Sequence, residues 1–204
     1  MKTSLSTHSK TLRMVQIALL MALEVVLTLL YISVGTINLN FGLVPIVISA
    51  IFLGPAVGAL IGGVSGVVTA VQVVTVPGIF NTFLVTVNPI AACVISVIKT
   101  AVAGLMVGWI YSLMSKLCKS TIVNSFVAAA VCPIVNSGIF AIGMFAFFGD
   151  ALLADAILST RGPSLIAIVF LGLIGVNFIV EFIVTSLISP ALCKTITAAK
   201  IFSK

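Results

Sequence analysis

Glu24, Lys99 and Glu181 each lie deep inside a long apolar run of the chain. A charge at the centre of a bilayer costs at least about 2.5 to 3.5 kcal/mol on insertion scales, so each of these groups calls for a partner or a cavity. Lys99 sits about ten residues into its run, roughly 15 Å from the end at 1.5 Å per residue, which is mid-bilayer. Asn136 and Asn177 fall at comparable depth in later runs, and Asn177 is four residues before Glu181, so the two share a helix face. One ammonium able to meet a carboxylate, with amide donors and acceptors in apolar walls, suits a small polar or anionic metabolite. The same residues admit a plainer reading, in which Lys99 pairs with Glu181 or Glu24 and the asparagines cross-link helices. They also admit a stand-alone ion- or proton-coupled carrier or channel, with Glu24 and Glu181 as relay carboxylates. Asn38, Asn40, Asn81 and Asn88, with Thr82 and Thr86, put further hydrogen-bonding groups in the outer loops, above the expected site. Phe80 and Phe83 either lid it or anchor their loop in the interface.

Other chemistries have little to stand on. His8 is the single histidine and lies in a polar tail, which leaves no histidine-based triad and no histidine zinc site. Cys93, Cys118, Cys132 and Cys193 are too widely spaced for a metal pattern or a disulfide framework. No Gly-x-x-x-x-Gly-Lys-Ser/Thr sequence is present to cradle phosphates, so no ATPase is expected. The chain reads as a non-enzyme with no metal and no cofactor.

The elements that must hold these residues are membrane helices. The sequence is 61% hydrophobic and only 7% charged, with a mean hydropathy of +1.40, whereas soluble domains carry about 25% charged residues. A hydrocarbon core about 30 Å thick needs roughly 20 apolar residues per helix, which leaves room for about six spans and no separate domain. The spacing predicts helices over 14–34, 43–53, 56–74, 89–112, 121–148 and 164–191, with breaks at 36–42, Gly54-Pro55, 75–86, 115–120 and 149–163. The run from Met14 to Val34 is too long for a signal peptide's apolar region of about 7–15 residues and is expected to be a retained helix. The second segment is short, so it either spans thinly or is shielded by protein.

The net charge of +6 is spread over segment ends rather than gathered in a stripe, which argues for membrane orientation and against nucleic acid. Lys2, Lys10 and Arg13 precede the first segment, Lys116 and Lys119 join the fourth to the fifth, and Lys194, Lys200 and Lys204 follow the sixth. With six spans all three groups fall on one side, the cytoplasmic one by the positive-inside rule. Asp150, Asp155 and Arg161 then fall outside, and Trp109 and Tyr111 lie near the inner interface. The expected fold is therefore all-α, a polytopic bundle of six transmembrane helices, N-in/C-in. Residues 1–13 form a cytoplasmic tail, 14–192 the membrane domain and 193–204 a second cytoplasmic tail. Gly54, Gly58, Gly62 and Gly66 recur every fourth residue, giving a face that packs closely on a neighbouring helix or serves as a sliding or partner surface.

Three features together carry a family resemblance: the apolar segments, Ala18-x-x-x-Ala22 in the first of them, and the Leu53-Gly-Pro-x-x-Gly58-Ala-Leu-x-Gly62 turn. The chain resembles the substrate-binding S components of energy-coupling factor (ECF) vitamin transporters. The resemblance implies a multi-pass protein of the bacterial plasma membrane that binds a vitamin or related micronutrient on its extracellular side. It also implies docking, through Ala18 and Ala22, onto a transmembrane coupling protein driven by two cytoplasmic ATPases. Lys99 in Ile98-Lys-Thr-Ala-Val-Ala-Gly104, with Asn136 and Asn177-x-x-x-Glu181, looks most like the riboflavin-type and pantothenate-type branch. Because Lys99 can neutralise a carboxylate, pantothenate is the first expectation, followed by folate and riboflavin.

Overall fold

The computed structural model describes residues 7–30, 32–34, 37–39, 41–154 and 175–199. Within them the architecture is helical apart from one small hairpin. The helices are α1 Thr7–Leu29, α2 Leu43–Leu53, α3 Pro55–Thr75, α4 Ile79–Val87, α5 Pro89–Leu117, α6 Thr121–Ala154 and α7 Gly175–Ala198. Five of them, all but α2 and α4, contain stretches long and apolar enough to cross a membrane. The expected start of the sixth segment at 164 lies outside the described residues, as do Asn40, Asp155 and Arg161.

Several boundaries depart from the expected ones, among them the start of the first helix at Thr7 rather than 14 and the end of the last at Ala198 rather than 191. The first helix ends at Leu29 rather than at 34, and strands β1 Ile32–Val34 and β2 Ile37–Leu39 follow it as an antiparallel hairpin with Ser33 opposite Asn38. Ile32, Val34, Ile37 and Leu39 alternate with Ser33 and Asn38, a period-two pattern that favours strand over helix. The expected break at 75–86 contains α4, whose Phe80 and Phe83 pack into an apolar cluster with Phe140, Met144 and Phe148. Helices α5 and α6 run beyond their expected ends, to Leu117 and Ala154.

Helix α2 keeps its expected span, because Gly54 and Pro55 stop one helix and start the next. Gly54 has φ +96°, a left-handed conformation that glycine adopts without steric cost, and Pro55 opens α3, where a missing N–H costs nothing. With 11 residues, α2 reaches only about 16 Å. Every residue from Leu43 to Ile51 is buried, so protein rather than lipid covers it. The carbonyl of Leu53, left open at its C-terminus, accepts a bond from Arg13 Nη2 at 3.0 Å. Arg13→Ala is expected to lower the thermal midpoint by the equivalent of about 1 kcal/mol, the worth of an exposed charge-assisted bond at a helix end. An unchanged melting curve in detergent would show that water replaces the guanidinium at no cost.

The glycine ladder is spent inside the molecule. Helices α3 and α5 run antiparallel, with Gly58 against Gly104 and Ala50, Gly62 against the Thr100 backbone, and Gly66 against Ser96 and Val97. Gly108 completes the series against Pro55. The reading of this face as a sliding or partner surface is thereby overturned, since backbone occupies it. Helix α1 is different: Ala18, Leu19, Ala22, Leu23 and Val26 are exposed along it.

Candidate functional site

Lys99 on α5, Asn136 on α6, and Asn177 and Glu181 on α7 converge, as expected from their shared depth. Lys99 Nζ lies 5.0 Å from the centroid of the Phe140 ring, a cation–π contact. It is also within electrostatic reach of Glu181, and the Asn136 amide is within hydrogen-bonding reach of that carboxylate. Asn177 Nδ2 donates to Glu181 Oε1 at 3.1 Å, one turn along the same helix. Antiparallel packing of α5 on α6 explains the match in level, for Gly143 meets Ile95 a turn from where Phe140 meets Lys99.

Three acceptors in this group have no hydrogen-bond partner among the described residues: Asn136 Oδ1, Asn177 Oδ1 and Glu181 Oε2. A buried polar atom without a partner costs about 1–3 kcal/mol, and such atoms mark a missing donor. The site therefore presents one cationic donor beside three acceptors still open to donors.

An aromatic layer adjoins it. The Phe140 ring that carries Lys99 meets Phe80 of α4 edge-on, with centroids 6.2 Å apart, and Phe83 meets Phe148 at the same separation. Phe80 and Phe83 thus pack onto α6. Asn81 and Asn88 are engaged nearby in local structure. Asn81 Nδ2 donates to the Val76 carbonyl at 3.0 Å, and Asn88 Oδ1 caps α5 by accepting from the Ala91 N–H at 3.0 Å. Asn40 lies outside the described residues.

Glu24 stands apart from this group, which corrects the reading that joined it to Lys99. Its carboxylate is fully buried between α1 and α3, where Thr28 Oγ1 donates to Oε1 at 2.7 Å and the Ser65 hydroxyl is within reach. Cys132 of α6, also fully buried, lies within electrostatic reach of both Glu24 and Glu181 and marks the ground between them. The residues that sequence reasoning passed over here are Thr28, Ser65 and Phe140. Threonine and serine are ordinary in apolar helices because they can bond back to their own turn, and one phenylalanine among thirteen carries no signal.

A family model described as the substrate-specific component of the ECF transporter matches residues 12–193. No individual curated protein matches the chain.

Proposed function

From the premise that this chain belongs to the substrate-specific components of ECF transporters, we propose that it binds a vitamin or related micronutrient around Lys99, pantothenate before folate or riboflavin. The family makes it a transport subunit rather than an enzyme, and implies a small-molecule substrate and a membrane-embedded ECF complex. Its apolar helices make it a multi-pass membrane protein. The proposal goes further, to the ligand and the way the subunit works.

The observation that carries it is the pairing of one ammonium with three open acceptors. A ligand carboxylate would meet Lys99, and its hydroxyl or amide N–H groups would donate to Asn136, Asn177 and Glu181. Pantothenate has one carboxylate, one amide N–H and two hydroxyls, and so offers both kinds of group in a compact molecule. Folate supplies two carboxylates on a larger body, and riboflavin supplies hydroxyls without a carboxylate. Mass spectrometry of small molecules that co-purify with the chain, followed by titration of the three vitamins, tests this directly. Retention of none of them, and no saturable binding, would remove the reading.

The same proposal takes α2 as a sixth, protein-covered crossing and places both termini in the cytoplasm of a bacterium. Arg13, Lys116, Lys119 and Lys194 sit near helix ends in keeping with that topology. Ala18 and Ala22 would then face the transmembrane coupling protein that two ATPases drive, and both side chains are exposed on α1. Replacing both by tryptophan is expected to abolish ATP-dependent uptake by the assembled transporter, with vitamin affinity of the isolated subunit within about twofold, since bulk blocks close helix approach. Uptake at the unsubstituted rate would place the docking face elsewhere.

A further inference from the structure

Glu24 has chemistry that the substrate reading leaves unused. Its carboxylate is fully buried in the C-terminal third of α1, inside a segment long and apolar enough to cross the membrane. Oε1 is held by Thr28, but Oε2 has no hydrogen-bond partner among the described residues. Thr28 Oγ1 and Ser65 Oγ lie 3.4 Å apart, so two hydroxyl oxygens flank the carboxylate from two helices. The turns that carry them are pinned: Gln72 Nε2 donates to the Thr28 carbonyl at 3.2 Å, and Thr69 Oγ1 to the Ser65 carbonyl at 3.0 Å.

Among the described residues no cationic side chain pairs with Glu24. Arg13 is bound to the Leu53 carbonyl, and Lys99 lies over Phe140 with Glu181. An intramembrane carboxylate without a counter-charge has to be neutralised, by a proton or by a cation. A proton caps a single lone pair. A small cation would draw on both carboxylate oxygens and both hydroxyl oxygens at once. The donor set of Glu24, Thr28 and Ser65 is all oxygen, and its single negative charge balances a single positive one, which favours a hard monovalent ion over a transition metal.

We propose that Glu24, Thr28 and Ser65 form a binding site for a monovalent alkali cation that bridges α1 to α3. Occupancy would clamp the exposed helix α1 to the rest of the bundle, through oxygens that belong to both elements. The site shares no ligand residue with the Lys99 cluster, so it stands whether or not that cluster takes a vitamin.

The test uses the purified full-length chain in detergent, melted across a sodium chloride series and across a series of N-methylglucamine chloride at matched ionic strength. Sodium is expected to raise the midpoint saturably by about 3–10 °C over the organic cation, the shift that ligand linkage produces when sodium exceeds its dissociation constant by about 10- to 100-fold. Glu24→Gln is expected to erase that difference. Ser65→Ala, a smaller change that keeps the fold if the glutamine variant does not, is expected to move the half-saturating sodium concentration up by about tenfold. Superimposable melting curves in the two salts would overturn the site and indicate a protonated Glu24. A sodium response that survives Glu24→Gln would overturn it as well. Vitamin titrations in both salts separate the two readings, because a chain that responds to sodium but binds no vitamin loses the substrate assignment alone.

Discussion

Lys99→Ala is expected to weaken vitamin binding by about 100- to 4,000-fold, the largest loss of any single substitution in the site. Removing one partner of a buried charge pair costs about 3–5 kcal/mol, and each 1.4 kcal/mol is a factor of ten in affinity. Part of that loss is the stranding of Glu181, whose Oε2 already lacks a partner. The single variant should therefore also melt earlier than the parent. Adding Glu181→Gln removes the stranded charge, and the double variant is expected to regain most of the thermal stability but not the affinity. Calorimetric titration beside a melting curve separates the two effects. Unchanged affinity in Lys99→Ala would reduce the lysine to a structural partner of Glu181 and return the site to the plainer reading of helix cross-linking.

Gly62→Val is expected to prevent assembly of the bundle, whereas Gly63→Ala, one residue away, is expected to be neutral or to stabilise by up to about 1 kcal/mol. A Cβ at Gly62 would strike the Thr100 carbonyl and the Ala101 backbone, groups that cannot rotate aside. Overpacking that side chains can relieve costs about 1–3 kcal/mol, and backbone against backbone offers no such relief. A Cβ at Gly63 meets nothing within 4 Å, and alanine is the better helix former. Yield of monodisperse protein on size exclusion, with melting of whatever is recovered, gives the comparison. If Gly62→Val purified and melted like the parent, α3 and α5 would have to lie farther apart than their glycines indicate.

Helix α6 carries a related peculiarity. On α6 and α7, the Ser125, Ser186 and Ser189 hydroxyls and Asn124 Oδ1 are buried without a hydrogen-bond partner among the described residues. Small polar side chains let transmembrane helices approach closely, and their hydrogen bonds across the interface average well under 2 kcal/mol. The Pro133 and Pro190 interruptions in the same two helices free backbone carbonyls close to these groups.

Much of this protein is written in its composition. A chain with so few charges and so many apolar residues cannot bury its surface against itself in water, so a membrane location follows from hydropathy alone. The few charges it keeps are conspicuous because each is costly at bilayer depth, which is why Lys99 and Glu181 stand out in the sequence, with the amides of Asn136 and Asn177 at matching depth. The boundary between α2 and α3 was equally legible, since glycine with positive φ followed by proline has a purely local cause. Partnership was not legible in this way. Whether Glu24 or Glu181 meets Lys99 depends on which helices neighbour one another, and hydropathy carries no such information. The fold puts α5 beside α6 and α6 beside α7, and sets α1 against α3, so the two carboxylates part company. The same long-range packing turned the glycine ladder inward and left the alanines of α1 outward, because only the backbone of α5 fits so closely against α3. Helix α4 is short, and a short helix takes its form from the surface that it packs on. Periodicity accordingly reveals how deep each residue lies in the membrane, and packing between distant segments selects what it touches there.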